Sequence, residues 1–540
     1  MLFHRFRTRT GKDGAISPLA LRELKSLTGR LQVSNGGQTQ EFGKMRALIV
    51  DHKMVPALPP IIVFLAAFAR SASKRFPGVA TVLTQPDATN GLRRLSRLRQ
   101  ILDKSAFRQI ELGPVFKLLG AREILKPRSS EAASRHVIAE ALELIRTLGS
   151  RDELLKLKIR NVLAGDLIYD EYLIRRSSPT LPDLQSPEFF RFLLNAVCYC
   201  IQIDDHLAEH NYDLIVGPDI YLPGYAFRSG SRRGIPSFFP SYEGTWRIGG
   251  SALSSHREHT LYLEESESLN QATKLLWSES GLTDLSARLL GNGNEITVRQ
   301  RDRTSTRAFC LPENRQNEEL NVLVATHDFS DSPHILGEHL YPDFWVWLER
   351  LGEISTDTKY NWYLKTHPGI GIASRRVVDR FLSKNQHFAE IPSDLGPKSL
   401  SDGGIDWVLT VNGSVGFEFP FLGTNVLPAS TSLPWRGFEI TPEPRSRPEF
   451  ESLVLNLKNI IFKPNLTNLG IFYYLHSRHF RGSDYFPFPY RDWSREAFDG
   501  LLTQEPLAYS EALLNHYEAY IRSENYYCPP MARPLKISTL

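Results

Sequence analysis

Two stretches of the chain place anion-binding groups where an apolar run gives way to a turn. In "TVNGSVGFEFPFLG" (410 to 423), Asn412, Gly413, Ser414 and Gly416 follow the apolar run "IDWVLTV" (405 to 411). Free N–H groups at the start of a helix, a serine hydroxyl and glycines that permit close approach make a general anion site. Glu418 lies one helical turn beyond Ser414, where a carboxylate could accept hydrogen bonds from ribose or sugar hydroxyls. The bland alternative is that Ser414 only caps the helix. In "YNWYLKTHPGIG" (360 to 371) a hydrophobic run stops at Lys365, Thr366 and His367, and Pro368 locks the chain. Proline ends strands well, but a histidine there can also donate to a phosphate while neutral, or pair with it when protonated. Lys365 and Thr366 point to opposite faces of a strand, so only one of them shares a face with a ligand.

Three other stretches carry candidates. In "THDFSDSPHILGEHLYPDFW" (326 to 345), His327, Asp328, Asp331 and His334 fall within eight residues. No fixed ligand spacing supports a metal site there, and Asp331 and Ser332 suit turn and capping roles. The loop reads as cleft lining through His327, Asp331 and His334. "NVLAGDLIYDEYLIRR" sets Asp166 and Asp170 one turn apart, on one face if the segment is helical. A carboxylate there could take the proton of an attacking hydroxyl; solvated helix charge is the alternative. "VGPDIYLPG" adds Asp219 and Tyr221 at another strand end, with a tyrosine ring that could stack on a sugar.

These groups need a scaffold, and the hydrophobic pattern supplies one. "MRALIVDH" (45 to 52) and "VATVLTQ" (79 to 85) read as strands, and residues 90 to 210 as mostly helical, including "SRDELLKLKIRNVLAGDLIYDEYLIRR". "YDLIVGPDIYLPGYAFRSGSRRGIPSFFPS" reads strand, turn, small-residue helix, strand, and 250 to 318 is polar and less regular. After it, "NVLVATH", "NWYLKTH", "IDWVLTV" and "TNVLPAS" read as strands separated by helices, including "PDFWVWLERLGEI" and "SRRVVDRFLSKN". Strands alternating with helices imply right-handed βαβ units and parallel sheets. The fold class expected is α/β, with two doubly wound Rossmann-like domains facing across a cleft. Ligands of such sheets sit at the carboxyl edge of the strands. The expected division is a basic leader (1–43), an N-terminal domain with helical insertions (44–310), a C-terminal domain (320–470) and an aromatic-rich helical tail (471–540), with the linker near 300 to 320.

Composition excludes several classes. A chain of 540 residues is too long for one core. Its 41% hydrophobic and 23% charged residues are those of an ordinary globular protein, and a net charge of +4 argues against a dedicated nucleic-acid binder. Of four cysteines only Cys198 and Cys200 are close, with no second pair to complete a zinc site. Reduced thiols in a cytoplasmic protein are the expectation. The basic start has no apolar core of a signal peptide. "VPALPPIIVFLAAFA" (55 to 69) is shorter than the ~20 residues a bilayer requires and reads as a buried helix. The leader's Arg and Lys could touch an anionic membrane surface, a solvated tail being the plainer reading.

At "KTHP", followed by "TVNGSVGFEFPFLG", the chain resembles bacterial GT-B-type surface and capsule polysaccharide glycosyltransferases. These are the capsule Kdo transferases and, more distantly, sialyltransferases. The resemblance covers mainly 320 to 430; "GDLIYDEYLIRR" and "GYAFRSGSRRGIP" also look like the acceptor domain of that family. It implies metal-independent transfer of a sugar from a nucleotide-activated donor to a glycan or glycolipid, without a cofactor, in the cytoplasm or at the cytoplasmic face of the inner membrane. By carry-over His367 and Ser414, with Pro368, Asn412 and Gly413, would hold the nucleotide phosphate and Glu418 the ribose. Asp166 or Asp170 would be the general base. The family's acidic signature is not unambiguous here, which leaves that base open. A nucleotide-sugar epimerase, a glycerol- or polyol-phosphate transferase and a non-catalytic subunit of a polysaccharide assembly complex remain as alternatives.

Overall fold

The computed structural model describes residues 44–51, 75–84, 123–217, 221–241, 244–248, 258–290, 309, 311, 319–330, 333–367, 370–479 and 527–528. By contact the chain divides into two units. One is Met1–Ile168, Gln185–Ser255 and Phe480–Leu540; the other is Tyr169–Leu184 and His256–His479. The described strands are β1 (Lys44–Asp51), β2 (Arg75–Thr84), β3 (Glu123–Leu125), β4 (Lys158–Ile159), β5 (Val162–Leu163), β6 (Leu214–Val216), β7 (Ser237–Ser241) and β8 (Gly244–Ile248). They continue with β9 (Asn321–Ala325), β10 (Asn361–Lys365), β11 (Ala389–Ile391), β12 (Trp407–Thr410), β13 (Asn425–Pro428) and β14 (Tyr527–Cys528).

The first unit holds a sheet in the order β14-β8-β7-β6-β1-β2-β3. Its five strands from β3 to β7 are parallel, and β8 and β14 are antiparallel additions. The second unit's sheet, β11-β10-β9-β12-β13, is parallel throughout. In each, the parallel strands follow the 3-2-1-4-5 order of a doubly wound domain, as the strand–helix alternation implies.

The second sheet is covered on both faces, which is why its strands are continuous apolar runs rather than alternating ones. Val322 and Val324 of β9 join Trp362, Leu364 and Leu409 under the helices Phe344–Ile354, Ile372–Lys384 and Arg447–Leu455. Leu323 and Ala325 join Tyr363, Val408 and Val426 on the other face, with Leu400 and Phe419 from the helices Pro397–Asp402 and Val415–Phe421.

Three expectations are corrected. The run 150 to 176 is not one helix. The helix Arg151–Leu155 gives way to the β4–β5 hairpin, and a new helix spans Gly165–Arg176. Arg160 (φ 49°) and Asn161 (φ 65°) are the hairpin's two central residues, both left-handed as a type I′ turn requires. The strain at Arg160 is offset by bonds of its guanidinium to Glu140 at 3.0 Å, to Asp204 at 3.4 Å and to Asp205. No local periodicity reports such distant partners.

Second, the polar stretch after 250 contains two helices, Glu258–Ser268 and Gln271–Leu289, and they belong to the second unit rather than to a domain ending at 310. The reason is a close helix crossing. A Cβ on Gly281 would stand 2.0 Å from the Gly470 carbonyl oxygen, and one on Gly470 2.3 Å from that of Ser278, so both backbones touch. Trp277 stacks on Tyr474 beside it at 4.6 Å. Third, the short strands β3, β8, β11 and β14 are not among the expected ones, and β14 lies in the tail expected to be helical.

The leader (1–43), the apolar stretch 55 to 69, nearly all of 300 to 318 and most of the expected tail (480–526 and 529–540) lie outside the described residues. No helix among the described residues is long and apolar enough to cross a membrane. Cys198 and Cys200 are buried free thiols in the helix Pro187–Glu209.

Gly281→Ala forces a methyl group into the helix crossing and is expected to cost about 1–3 kcal/mol. Calorimetric melting checks this; an unchanged melting temperature contradicts the close crossing.

Candidate functional site

Parallel register brings three sequence-flagged positions to one level of the second sheet. Lys365 pairs with Ala325, and Leu409 with Val324, so Thr410 continues the row of Ala325. His367, His327 and Asn412 are each two residues beyond that row, at the carboxyl ends of β10, β9 and β12. Adjacent strands lie about 4.8 Å apart, so His327 stands between the other two. The position between β9 and β12, where the strand order reverses, is where open α/β sheets bind ligands. His367 is exposed and Thr366 buried. Asp331 and Pro368 lie outside the described residues.

His327 is held from several sides. Its ring stacks on Phe344 at 4.6 Å. The backbone N–H of Asn412 donates to its Nε2 at 3.4 Å, and Thr410 Oγ1 lies 3.3 Å from the same nitrogen. Gly413, at φ +109°, turns the chain beside it; a Cβ there would come within 3.2 Å of His327 Cε1. Burial, and secondarily the neighbouring His367, push the His327 pKa down to about 4. The ring is therefore neutral at pH 7.

The loop after β9 is pinned by carboxylates. Asp328 accepts from Ser330 N–H (3.2 Å), the Ser330 hydroxyl (3.0 Å), the Ser374 hydroxyl (2.6 Å) and Gly371 N–H (3.1 Å). Burial would raise its carboxyl, but the bonds from Ser374, Gly371 and Ser330 outweigh burial and hold it below its ordinary value. It thereby ties the His327 loop to the loop that carries His367, and it fills the start of the helix Ile372–Lys384. Further along, His334 meets Asp170 twice, through Nδ1 at 2.6 Å and through its backbone N–H at 3.1 Å. Asp343 caps the helix Phe344–Ile354 through Val346 N–H at 2.8 Å, and accepts from Tyr169 and Thr180 at 2.5 Å each. His339 lies between, 6.1 Å from His334 and 6.0 Å from Phe344 by ring centres. Burial first, then His334, lower its pKa to about 3.

The turn after β12 divides its glycines between two jobs. Gly413 supplies the left-handed backbone. Gly416 makes room for Trp435, whose indole carbon would sit 2.1 Å from an added Cβ; it serves packing, not ligand approach. Ser414 is half-buried at the head of the helix Val415–Phe421 and makes no side-chain capping bond, so the capping alternative is not what the structure shows. Glu418 is fully buried, and Arg288 Nε donates to its Oε1 at 2.9 Å. Its carboxylate faces inward to the helix Gln271–Leu289 rather than toward a ribose. Arg288, 3% exposed, carried no signal in the sequence because its partner is 130 residues away.

The remaining candidates lie elsewhere. Asp166, in the first unit, receives both arms of the Arg228 guanidinium at 2.7 and 2.8 Å. Asp170 belongs to the second unit and holds His334, so the two carboxylates do not act as a matched pair. Tyr221 heads the turn Leu222–Gly224 with φ 54°, a backbone that a tyrosine adopts only when its surroundings enforce it. Asp219 lies outside the described residues. Among the described residues no group of three His, Cys, Asp or Glu is disposed to hold a metal.

No family model matches the chain, and no curated protein matches it. Among solved structures it is similar to the beta Kdo 2,4 transferase of KpsC from Thermosulfurimonas dismutans, at 13% identity over 48% of this chain and 79% of that one, with a TM-score of 0.31. It is similar to UDP-GlcNAc 2-epimerase from Neisseria meningitidis bound to UDP-GlcNAc, at 9% identity over 79% and 97% of the two chains, TM-score 0.22. MurG from Acinetobacter baumannii gives 9% identity over 80% and 95%, TM-score 0.23.

Two outcomes follow from the buried groups. His327 and His339 take up protons in the unfolded chain below about pH 6.5 but resist them when folded. Their stabilisation is thus complete above pH 6.5 and falls by on the order of 1 kcal/mol per pH unit per histidine as pH drops toward about 4. Asp328, held below its ordinary value, adds its own loss of stability only as pH falls into the ordinary carboxylate range. Urea unfolding between those limits is expected to show the slope, and His339→Gln to reduce it; a flat profile contradicts the burial. Arg288→Met strands a buried carboxylate and is expected to cost about 3–5 kcal/mol, with Arg288→Met/Glu418→Met recovering much of it. Equal stability of single and double variants contradicts the buried pair.

Proposed function

We propose that the chain is a glycosyltransferase that binds a nucleotide-activated sugar at the carboxyl edge of β10, β9 and β12 and transfers the sugar to a glycan or glycolipid. The observation that carries this reading is the register: His367, His327 and the Asn412–Ser414 turn stand on three adjacent strand ends at the switch point of a doubly wound sheet. Hydroxyl, backbone N–H and imidazole donors suit the phosphate of a nucleotide. The sequence resemblance at "KTHP" and "TVNGSVGFEFPFLG" supports a sugar donor among nucleotide ligands and a role in bacterial surface polysaccharide synthesis, in the cytoplasm or at the cytoplasmic face of the inner membrane.

Transfer would proceed by displacement at the anomeric carbon. The acceptor hydroxyl oxygen would bond to the anomeric carbon and yield its proton to solvent as the bond to the donor phosphate breaks, and charge grows on the leaving phosphate oxygens. His367, Ser414 and the amides of the turn are placed to stabilise that charge. The acceptor proton is assigned to neither Asp166 nor Asp170 as a lone carboxylate, since Arg228 and His334 already engage them.

A thermal-shift screen of CMP, UDP, GDP and CDP tests the reading. A ligand at about a hundredfold its dissociation constant stabilises by ~2.7 kcal/mol. CMP or UDP is expected to register, and His367→Ala/Ser414→Ala to abolish the response. An unaltered response in that double variant places the nucleotide elsewhere. Conversion of a purified nucleotide sugar to its epimer without any acceptor would replace transfer by epimerisation on the same site.

A further inference from the structure

The central group of this edge has its tautomer set by the backbone. The Asn412 amide can only donate, so the ring nitrogen that receives it, Nε2 of His327, must hold the lone pair. In a neutral imidazole the proton then resides on Nδ1. Thr410 does not disturb this: its hydroxyl donates to the Asn412 carbonyl at 3.0 Å, or turns to the same Nε2 lone pair. Among the described residues no hydrogen bond reaches Nδ1, and His327 is half-buried rather than sealed in the core. Stacking on Phe344 fixes the ring plane. Close packing at Gly413 sets Cε1, one bond from Nδ1, against the Asn412–Ser414 turn.

We propose that His327 donates its Nδ1–H, as a neutral imidazole, to the phosphate oxyanion that this edge binds. The inference rests on the phosphate-site reading above and names the role of its middle residue. A neutral donor at that point strengthens its bond as charge develops on the leaving phosphate, which is the difference that accelerates a reaction. The titratable group acting on the ring is His367, from the loop after β10, and it opposes an imidazolium; His339, further along its own loop, is neutral in the same range. Asp328, next in the chain, turns its carboxylate to Gly371 and Ser374 instead.

Calorimetric titration of pyrophosphate, CMP and UDP into the full chain tests this with His327→Asn, which keeps an N–H near the place of Nδ1, and His327→Phe, which keeps the stack but has no donor. His327→Gln, with an acceptor toward Asn412, serves if the phenylalanine variant fails to fold. Pyrophosphate affinity is expected to fall about tenfold or more in His327→Phe and to stay within about threefold of wild type in His327→Asn. The ratio of wild type to His327→Phe is expected to hold constant from about pH 8 to about pH 5.5. Equal binding by the asparagine and phenylalanine variants overturns the donor role. A ratio that grows as pH falls through about 6.5 overturns it too, marking a cation. If pyrophosphate binding depends on His327 while no nucleotide binds, this inference stands and the nucleotide-sugar reading falls. If nucleotides bind wild type and His327→Phe alike, the reverse holds. Wild-type protein that binds none of the three overturns both.

Discussion

Lys365, Ala325 and Thr410 share one row of a parallel ladder, and the hydrogen bonds of that ladder decide where His367, His327 and Asn412 stand. Because parallel strands end at the same edge, groups far apart in sequence arrive together without any one of them having to be long or flexible. A slip of two residues in one strand would carry its group about 7 Å along the sheet and out of reach. Such a slip is opposed by the core: Val322, Val324, Trp362, Leu364 and Leu409 are packed on one face and Leu323, Tyr363 and Val408 on the other. Burial on both faces therefore fixes the positions of the polar groups at the rim.

The loops beyond the ladder are fixed by charge rather than by apolar packing. Asp328, Asp170 and Asp343 each gather two or more donors around the segment that runs from β9 to its helix. Buried carboxylates of this kind are costly unless their lone pairs are used, and here they are spent on backbone and hydroxyl donors that would otherwise need water. Behind the Ser414 turn, Arg288 and Glu418 do the equivalent for the helix Val415–Phe421. The His327 loop and the helix behind the Ser414 turn are thus braced before any ligand arrives, which is the condition for electrostatic stabilisation of a developing charge.

Much of this was legible in the residues. "NVLVATH", "NWYLKTH" and "IDWVLTV" declared β9, β10 and β12 because a sheet covered on both faces needs unbroken apolar runs, and the alternation of strands with helices declared a doubly wound order. What was not legible depends on partners distant in the chain. From its neighbourhood His327 reads only as cleft lining, since nothing there says that β9 lies between β10 and β12; the 3-2-1-4-5 order of such domains is the signal that places it. Glu418 looked available because Arg288 could not be seen to reach it. The hairpin at Arg160–Asn161 hid inside a helical periodicity because its strain is offset by Glu140, Asp204 and Asp205. The reading of Gly416 failed for the same reason, Trp435 being the neighbour that needs its space.

Diffraction from crystals of the full chain soaked with CMP or with pyrophosphate tests the central claim most directly. A phosphate bound at the β10–β9–β12 edge, with oxygens within hydrogen-bonding distance of His327 Nδ1, the His367 ring and the Ser414 hydroxyl, is the expected result. A phosphate seated away from that edge, or one bound there with His327 turned so that Nε2 meets it, would contradict it.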